Sequence, residues 1–311
     1  SNPVLVEVLR GGIVESRHRG AVFVCGPDGK DVLEIGDTAR PVFPRSAVKA
    51  IQALPLVETG TADAYGFGKR ELALACASHQ GAPLHARLVG EWLAERGLTE
   101  GDLLCGPQPS RDKDLRLSMI RERQEPGRVL NNCSGKHTGF LTLTQHLKAG
   151  PDYVDPAHPV QMACREAFEE VTGETSPGFG IDGCSAPNFA TTMTGMARAM
   201  AFFAGAAGRG DAQSRAAAQL VEAMIAHPVL VAGEGRACTL LMQAAKEPVA
   251  LKTGAEGYFI AILPARGLGV AVKIADGATR ASECVIAALM VRLGVMAADP
   301  PNVARFLNPP I

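Results

Sequence analysis

Two short motifs near opposite ends of the chain carry the side chains of an acyl-transfer site: Ser46-Ala47-Val48-Lys49 and Lys252-Thr253-Gly254. On a helix, residues three apart share a face, so the Lys49 amine can stand beside the Ser46 hydroxyl. A lysine stripped of water and held neutral can take a serine proton, the task histidine performs in many hydrolases. Lys252 heads a strand-like run that can bring a second amine to the same place. Pro44-Arg45 mark a helix start at Ser46, where backbone N–H groups and the dipole favour a developing oxyanion. The plain structural alternative is that Ser46 only caps a helix and Lys49 only faces water.

A second serine, Ser78, lies in Ala77-Ser78-His79-Gln80-Gly81, a small polar run that follows a helical segment. It occupies the slot of an S-x-N element between S-x-x-K and K-T-G, the order found in penicillin-recognising serine enzymes. A third constellation pairs Asn131-Asn132-Cys133-Ser134-Gly135-Lys136-His137 with Asp182-Gly183-Cys184-Ser185-Ala186-Pro187-Asn188. Two thiols, an imidazole and a carboxylate in Gly/Ser/Asn-rich segments suit a thiophilic metal, zinc first. By residue type His137 is the third ligand, while Lys136, three residues from Cys133, could also reach the ion if neutral. Ser134-Gly135-Lys136 lacks the spacing of a phosphate-binding P-loop.

The elements that must position these groups follow from periodicity. Residues 4–35 alternate apolar and polar positions and read as three or four antiparallel strands. Helices are expected at about 46–56, 70–77, 83–97, 136–148, 157–172, 188–205 and 212–227. Strands return at 249–253, 258–263 and 269–274, before a last helix at about 278–294. The expected architecture is α/β of the α+β kind. The N- and C-terminal strands form one antiparallel sheet lobe (about 1–45 and 246–311), and residues 46–245 form a helical lobe. Lys252 then faces the seam, near the helix that begins at Ser46.

The composition narrows the function. The 311 residues are 47% hydrophobic and carry a net charge of −1. Charges are scattered, so neither a nucleic-acid footprint nor a polybasic membrane anchor is present. No run reaches the roughly 18 apolar residues of a membrane span. Ser1-Asn2-Pro3-Val4-Leu5 shows no secretory leader, and the eight cysteines are too dispersed for a disulfide scaffold. A cytoplasmic, reduced protein with a small polar substrate is expected.

Taken together, Phe43–Lys49, Cys76–His79, Asn131–His137, Asp182–Cys184 and Leu251–Gly254 resemble the rhizobial-type (class 3) L-asparaginases of the asparaginase II family. The resemblance runs over essentially the whole chain. It implies a serine β-lactamase-like or glutaminase-like fold, a homodimer, and hydrolysis of L-asparagine to L-aspartate and ammonia. It further implies two Ser-Lys tandems, Ser46–Lys49 and Ser78–Lys252, with Ser46 the expected nucleophile and Ser78 the open alternative. Cys133, Lys136 and Cys184 would bind zinc, with His137 behind them. Arg45, His79 and Asp182 would line the substrate pocket, Asp182 at the α-amino group. Competing readings are a glutaminase, a β-lactamase-type serine hydrolase, and a non-catalytic protein stapled by zinc.

Overall fold

A computed structural model describes residues 1–308. Strands β1 (Val4–Arg10), β2 (Ile13–Cys25) and β3 (Asp31–Ile35) open the chain; β4 (Phe179–Ile181) and β5 (Pro187–Phe189) form a hairpin in its middle; β6 (Ala250–Gly254), β7 (Tyr258–Leu263) and β8 (Leu268–Ile274) come near the end. The main sheet is antiparallel, in the order β1-β2-β8-β7-β6, with β3 also on β2. The two terminal groups of strands therefore meet along β2 and β8, where Gly20 stands opposite Ile274 and Cys25 opposite Gly269.

Strand β2 records its own environment. Residues 13–17 alternate between exposed and half-buried positions, as an edge with one open face requires, whereas residues 20–25 are buried throughout. All six residues of β7 are buried, and helices Met193–Ala204 and Thr279–Arg292 both pack on β7 and β8. Gly269 permits the first of these contacts: a Cβ there would lie 2.2 Å from the Ala197 carbonyl oxygen.

Most expected helices are present within a few residues, among them Lys69–Ala75, Pro83–Glu95, Ser134–His146, Pro159–Thr172 and Ala212–Ala226. Two expectations change. Residues 46–56 form a 3-10 turn, Arg45–Val48, followed by the short helices Lys49–Gln52 and Leu54–Glu58. The helix expected at 188–205 begins only at Met193, where the Thr192 hydroxyl accepts a hydrogen bond from the Gly195 N–H; residues 187–189 belong to β5. Helices Lys113–Arg121, Ala237–Ala244 and Pro301–Leu307 add to the expected set. No helix among the described residues is long and apolar enough to cross a membrane.

Candidate functional site

The K-T-G strand and the Ser46 turn touch directly. A Cβ on Gly254 would lie 2.6 Å from the Pro44 carbonyl oxygen and 3.2 Å from the Ala47 nitrogen, so only glycine lets β6 approach this closely. Helix Ser134–His146 packs as tightly on the segment before Ser78, since a Cβ on Gly135 would lie 2.4 Å from the Leu74 carbonyl oxygen. Past that helix, Ser78 N–H donates to the Val231 carbonyl and His79 N–H to the Asn132 carbonyl. Two distant segments, residues 132–146 and Val231, thus hold Ser78 in place.

Both lysines meet at that serine. Lys49 Nζ and Lys252 Nζ each lie 2.8 Å from Ser78 Oγ. Lys49 also donates to the Ala77 carbonyl oxygen at 2.5 Å and contacts Cys133 Sγ at 3.1 Å, and Lys252 donates to the Thr253 carbonyl oxygen at 2.8 Å. Ser46 is half-buried, and its hydroxyl makes no hydrogen bond to another described residue. The Lys49 amine thus spans to Ser78 rather than bonding to the serine three residues before it. Burial, reinforced by the like charge of Lys49, lowers the pKa of Lys252 to about 7. A substantial neutral fraction of Lys252 can then accept the Ser78 proton near neutral pH.

His79 is wholly buried and forms no hydrogen bond with either amine. Its Nδ1 accepts from the Gly81 N–H at 3.1 Å, which places the proton on Nε2; that nitrogen donates to Ser134 Oγ, and Ser134 donates onward to the Val129 carbonyl. Burial, with the charge of neighbouring His85 second, keeps its pKa well below the usual imidazole range. His79 therefore braces the Ser78 segment as a neutral ring.

The sulfur cluster is separate but adjacent. Cys133 caps helix Ser134–His146, its N–H held by Asn131 Oδ1 at 2.9 Å. Cys184 arrives from the turn between β4 and β5, closed by Asp182 N–H to Ala186 O and Ser185 N–H to Asp182 O. Lys136 Nζ lies 3.3 Å from Cys184 Sγ. The neighbouring Cys133 lowers the Cys184 pKa to about 4, assisted by Lys136 against burial, while Cys184 and burial push Cys133 up to about 12. Lys136 moves above its ordinary value because neighbouring thiolate charge outweighs burial.

His137 stands apart from this pair. Its Nδ1 bonds to the Tyr153 hydroxyl at 2.9 Å, an oxygen that also accepts from the Leu104 N–H, and its buried Nε2 has no partner among the described residues. No three His, Cys, Asp or Glu side chains converge as metal ligands among the described residues. The available donor set is two sulfurs and the Lys136 amine, all buried, which is not the Cys-Cys-His set that residue type favours.

At the other end, Arg45 Nε donates to Asp182 Oδ1 at 2.6 Å. Arg45 adopts φ +52°, a left-handed conformation costing about 1–3 kcal/mol. Asn188 holds it there: its Oδ1 accepts from Arg45 N–H, and its Nδ2 donates to the Arg45 carbonyl at 3.2 Å and to Asp182 Oδ2 at 3.3 Å. Asn188, Ser134 and Tyr153 are supporting residues that the sequence reading did not single out. The first two sit inside the quoted motifs, which was their available signal; Tyr153 had none.

A family model described as L-asparaginase II matches residues 6–311. The chain belongs to the L-asparaginase II family. Among solved structures, Mglu in its native form aligns at TM-score 0.53 and 16% identity over 91% of this chain, and its tris and glutamate form at TM-score 0.53 and 15% over 96%. The chain spans 66% and 65% of those two Mglu chains. A beta-lactamase (Mb2281c) from Mycobacterium bovis aligns at TM-score 0.38 and 13% identity over 88% of this chain and 94% of its own. No curated protein matches. The expected architecture, N- and C-terminal strands joined in one antiparallel sheet beside a set of helices, is the one observed, and Mglu shares the fold.

Proposed function

We propose that this family member is an L-asparaginase, hydrolysing L-asparagine to L-aspartate and ammonia through serine–lysine catalysis. The observation that carries the mechanism is the convergence of two lysine amines on Ser78 Oγ, each at 2.8 Å. Ser78 is accordingly the nucleophile in this proposal, the alternative left open by the sequence. Neutral Lys252 takes the hydroxyl proton as Oγ bonds to the side-chain amide carbon. The charge of Lys49 stabilises the developing oxyanion in a water-poor site. Lys252 returns the proton to the departing nitrogen, the C–N bond breaks, and ammonia leaves. Water, deprotonated by Lys252, then attacks the β-aspartyl ester; Ser78 regains its proton and aspartate is released.

Ser46, half-buried at the turn against Gly254, presents a free hydroxyl to the substrate. Asp182 meets the substrate α-ammonium, and Arg45 holds that carboxylate in place. Cys133, Cys184 and Lys136 suit zinc, because two buried sulfurs and an amine within reach of one another form a soft, three-donor set. When bound, zinc would supply a positive charge that fixes the β4–β5 turn beside Asp182. Binding requires that Cys133 and Lys136 give up their protons. The proposal extends to a homodimer in the cytoplasm, a compartment suited to dispersed cysteines rather than a disulfide scaffold.

Ammonia release from L-asparagine and L-glutamine tests the proposal. Release from asparagine is expected to fall at least ~10³-fold in Ser78→Ala and by less in Ser46→Ala. Faster release from glutamine would make the protein a glutaminase, and the reverse ranking of the two serines would make Ser46 the nucleophile.

A further inference from the structure

Two arginines that the proposed mechanism does not use, Arg111 and Arg236, converge on the segment that carries Ser78. The Gln80 carbonyl accepts from the Arg111 N–H at 2.7 Å, and the Ser78 N–H donates to the Val231 carbonyl just ahead of the turn 233–236. That turn presses on Gln80: Gly233 holds φ +119°, and a Cβ there would lie 2.5 Å from Gln80 Cδ. It opens helix Ala237–Ala244, whose Cys238 Sγ accepts from the Thr253 N–H at 3.3 Å. Arg236 therefore stands where the Ser78 segment meets the strand of Lys252.

Among the described residues, neither guanidinium donates a hydrogen bond or forms an ion pair. The Gln80 side chain is 9% exposed, and its amide has no hydrogen-bond partner among them either. The neighbouring carboxylates are engaged elsewhere. Asp112 caps helix Lys113–Arg121 through the Leu115 N–H, and its charge acts on His85. Glu283, which burial pushes toward its neutral form, is divided between Arg236 and Arg305. Glu234 is exposed and forms no ion pair among the described residues. Burial, then the like charge of Arg236, lowers the pKa of Arg111, although Cys133 opposes them. A bound anion relieves that repulsion.

We infer that Arg111, Arg236 and the Gln80 amide bind the α-carboxylate of the amino-acid substrate. The identity of the ligand rests on the asparaginase reading, in which the substrate is a zwitterion whose carboxylate has no assigned partner. The other cations at the site are committed: Lys49 and Lys252 to Ser78, Lys136 to Cys184 and Arg45 to Asp182. Guanidinium groups offer planar, paired N–H donors that fit a carboxylate, and Gln80 adds a neutral amide donor. A free amino acid meets Asp182 with its ammonium and the arginines with its carboxylate. An asparagine inside a peptide, whose carboxyl group is a neutral amide, does not.

Turnover and inhibition with two analogues test this: succinamate, which is asparagine without the ammonium, and 3-aminopropanamide, which is asparagine without the carboxylate. In Arg236→Met, KM for asparagine and Ki for succinamate are expected to rise about 10–100-fold, with kcat within about threefold of the parent. Ki for 3-aminopropanamide should stay within about twofold, and Arg236→Lys should recover part of the loss. A rise for 3-aminopropanamide equal to that for asparagine would leave Arg236 a structural role only, and unchanged constants would remove it from the site; either overturns the inference. Arg111→Gln alters an exposed side chain and carries the test if Arg236→Met fails to fold. A parent that releases no ammonia sinks the asparaginase reading instead. Calorimetric titration with L-aspartate then decides the pocket, which stands if Arg111→Gln weakens binding and falls if it does not.

Discussion

Lys252 and Lys136 are both buried lysines beside a nucleophilic side chain, yet their pKa values move in opposite directions. Desolvation acts on each in the same sense, against the charged form. The neighbours decide the outcome. Lys252 faces a neutral hydroxyl and the like charge of Lys49, so it is driven to about 7; Lys136 faces a thiolate and rises. The first environment makes a base and the second makes an ion pair. Lys49 joins the two, contacting Ser78 Oγ at 2.8 Å and Cys133 Sγ at 3.1 Å.

The comparison breaks most visibly if Lys252 is removed. Lys252→Met is expected to lower kcat/KM for asparagine by about 10²–10⁴-fold, the usual contribution of a general base. In the parent the neutral amine is the active form, so kcat/KM rises with pH through about 7 and levels above it. The variant should lose that limb. A parent profile flat from pH 5.5 to 8.5 would remove Lys252 from the base's role.

The sulfur side gives the next largest effect. Cys184→Ala removes the thiolate that Lys136 Nζ touches at 3.3 Å, leaving the buried ammonium only its weaker neighbours Phe140, Cys133 and Asp182, a loss of about 3–5 kcal/mol in the metal-free protein. Zinc affinity should fall at least about 100-fold, read by competition with a chromogenic chelator. Unchanged thermal stability and zinc content would show that Cys184 and Lys136 are not a working pair. Chelation of the parent, by contrast, should leave the Lys252–Ser78 contact intact, because neither hydrogen bond of Lys252 among the described residues involves those sulfurs.

The sequence already revealed the larger frame, because strand alternation and helical stripes are local signals. It missed β5, because Pro187-Asn188-Phe189 precedes a true helix pattern and three residues are too few to show a period. At the site, S-x-x-K spacing correctly puts Ser46 and Lys49 on one short turn, but spacing says nothing of where a long side chain ends. Lys49 ends on Ala77 and Ser78, residues brought to it by nonlocal packing such as that of Gly135 on Leu74. The contact between Lys136 and Cys184 is equally nonlocal. It depends on a hairpin turn meeting a helix start, with Ser185 in the left-handed region at φ +71° to close that turn.

The smallest effect expected is also the most local. Gly254→Ala places a methyl group 2.6 Å from the Pro44 carbonyl oxygen and 3.2 Å from the Ala47 nitrogen, both backbone atoms that can yield only by moving the turn. A loss of about 1–3 kcal/mol in stability is expected, as for other overpacked sites. The displaced turn carries Ser46 and Arg45, whereas Lys252 stays anchored through Thr253 and Ser78. KM for asparagine should therefore rise more than kcat falls, and the pH limb near 7 should keep its position. A shifted limb would mean that β6 moved instead of the turn, carrying Lys252 away from Lys49 and weakening the contrast between the two buried lysines.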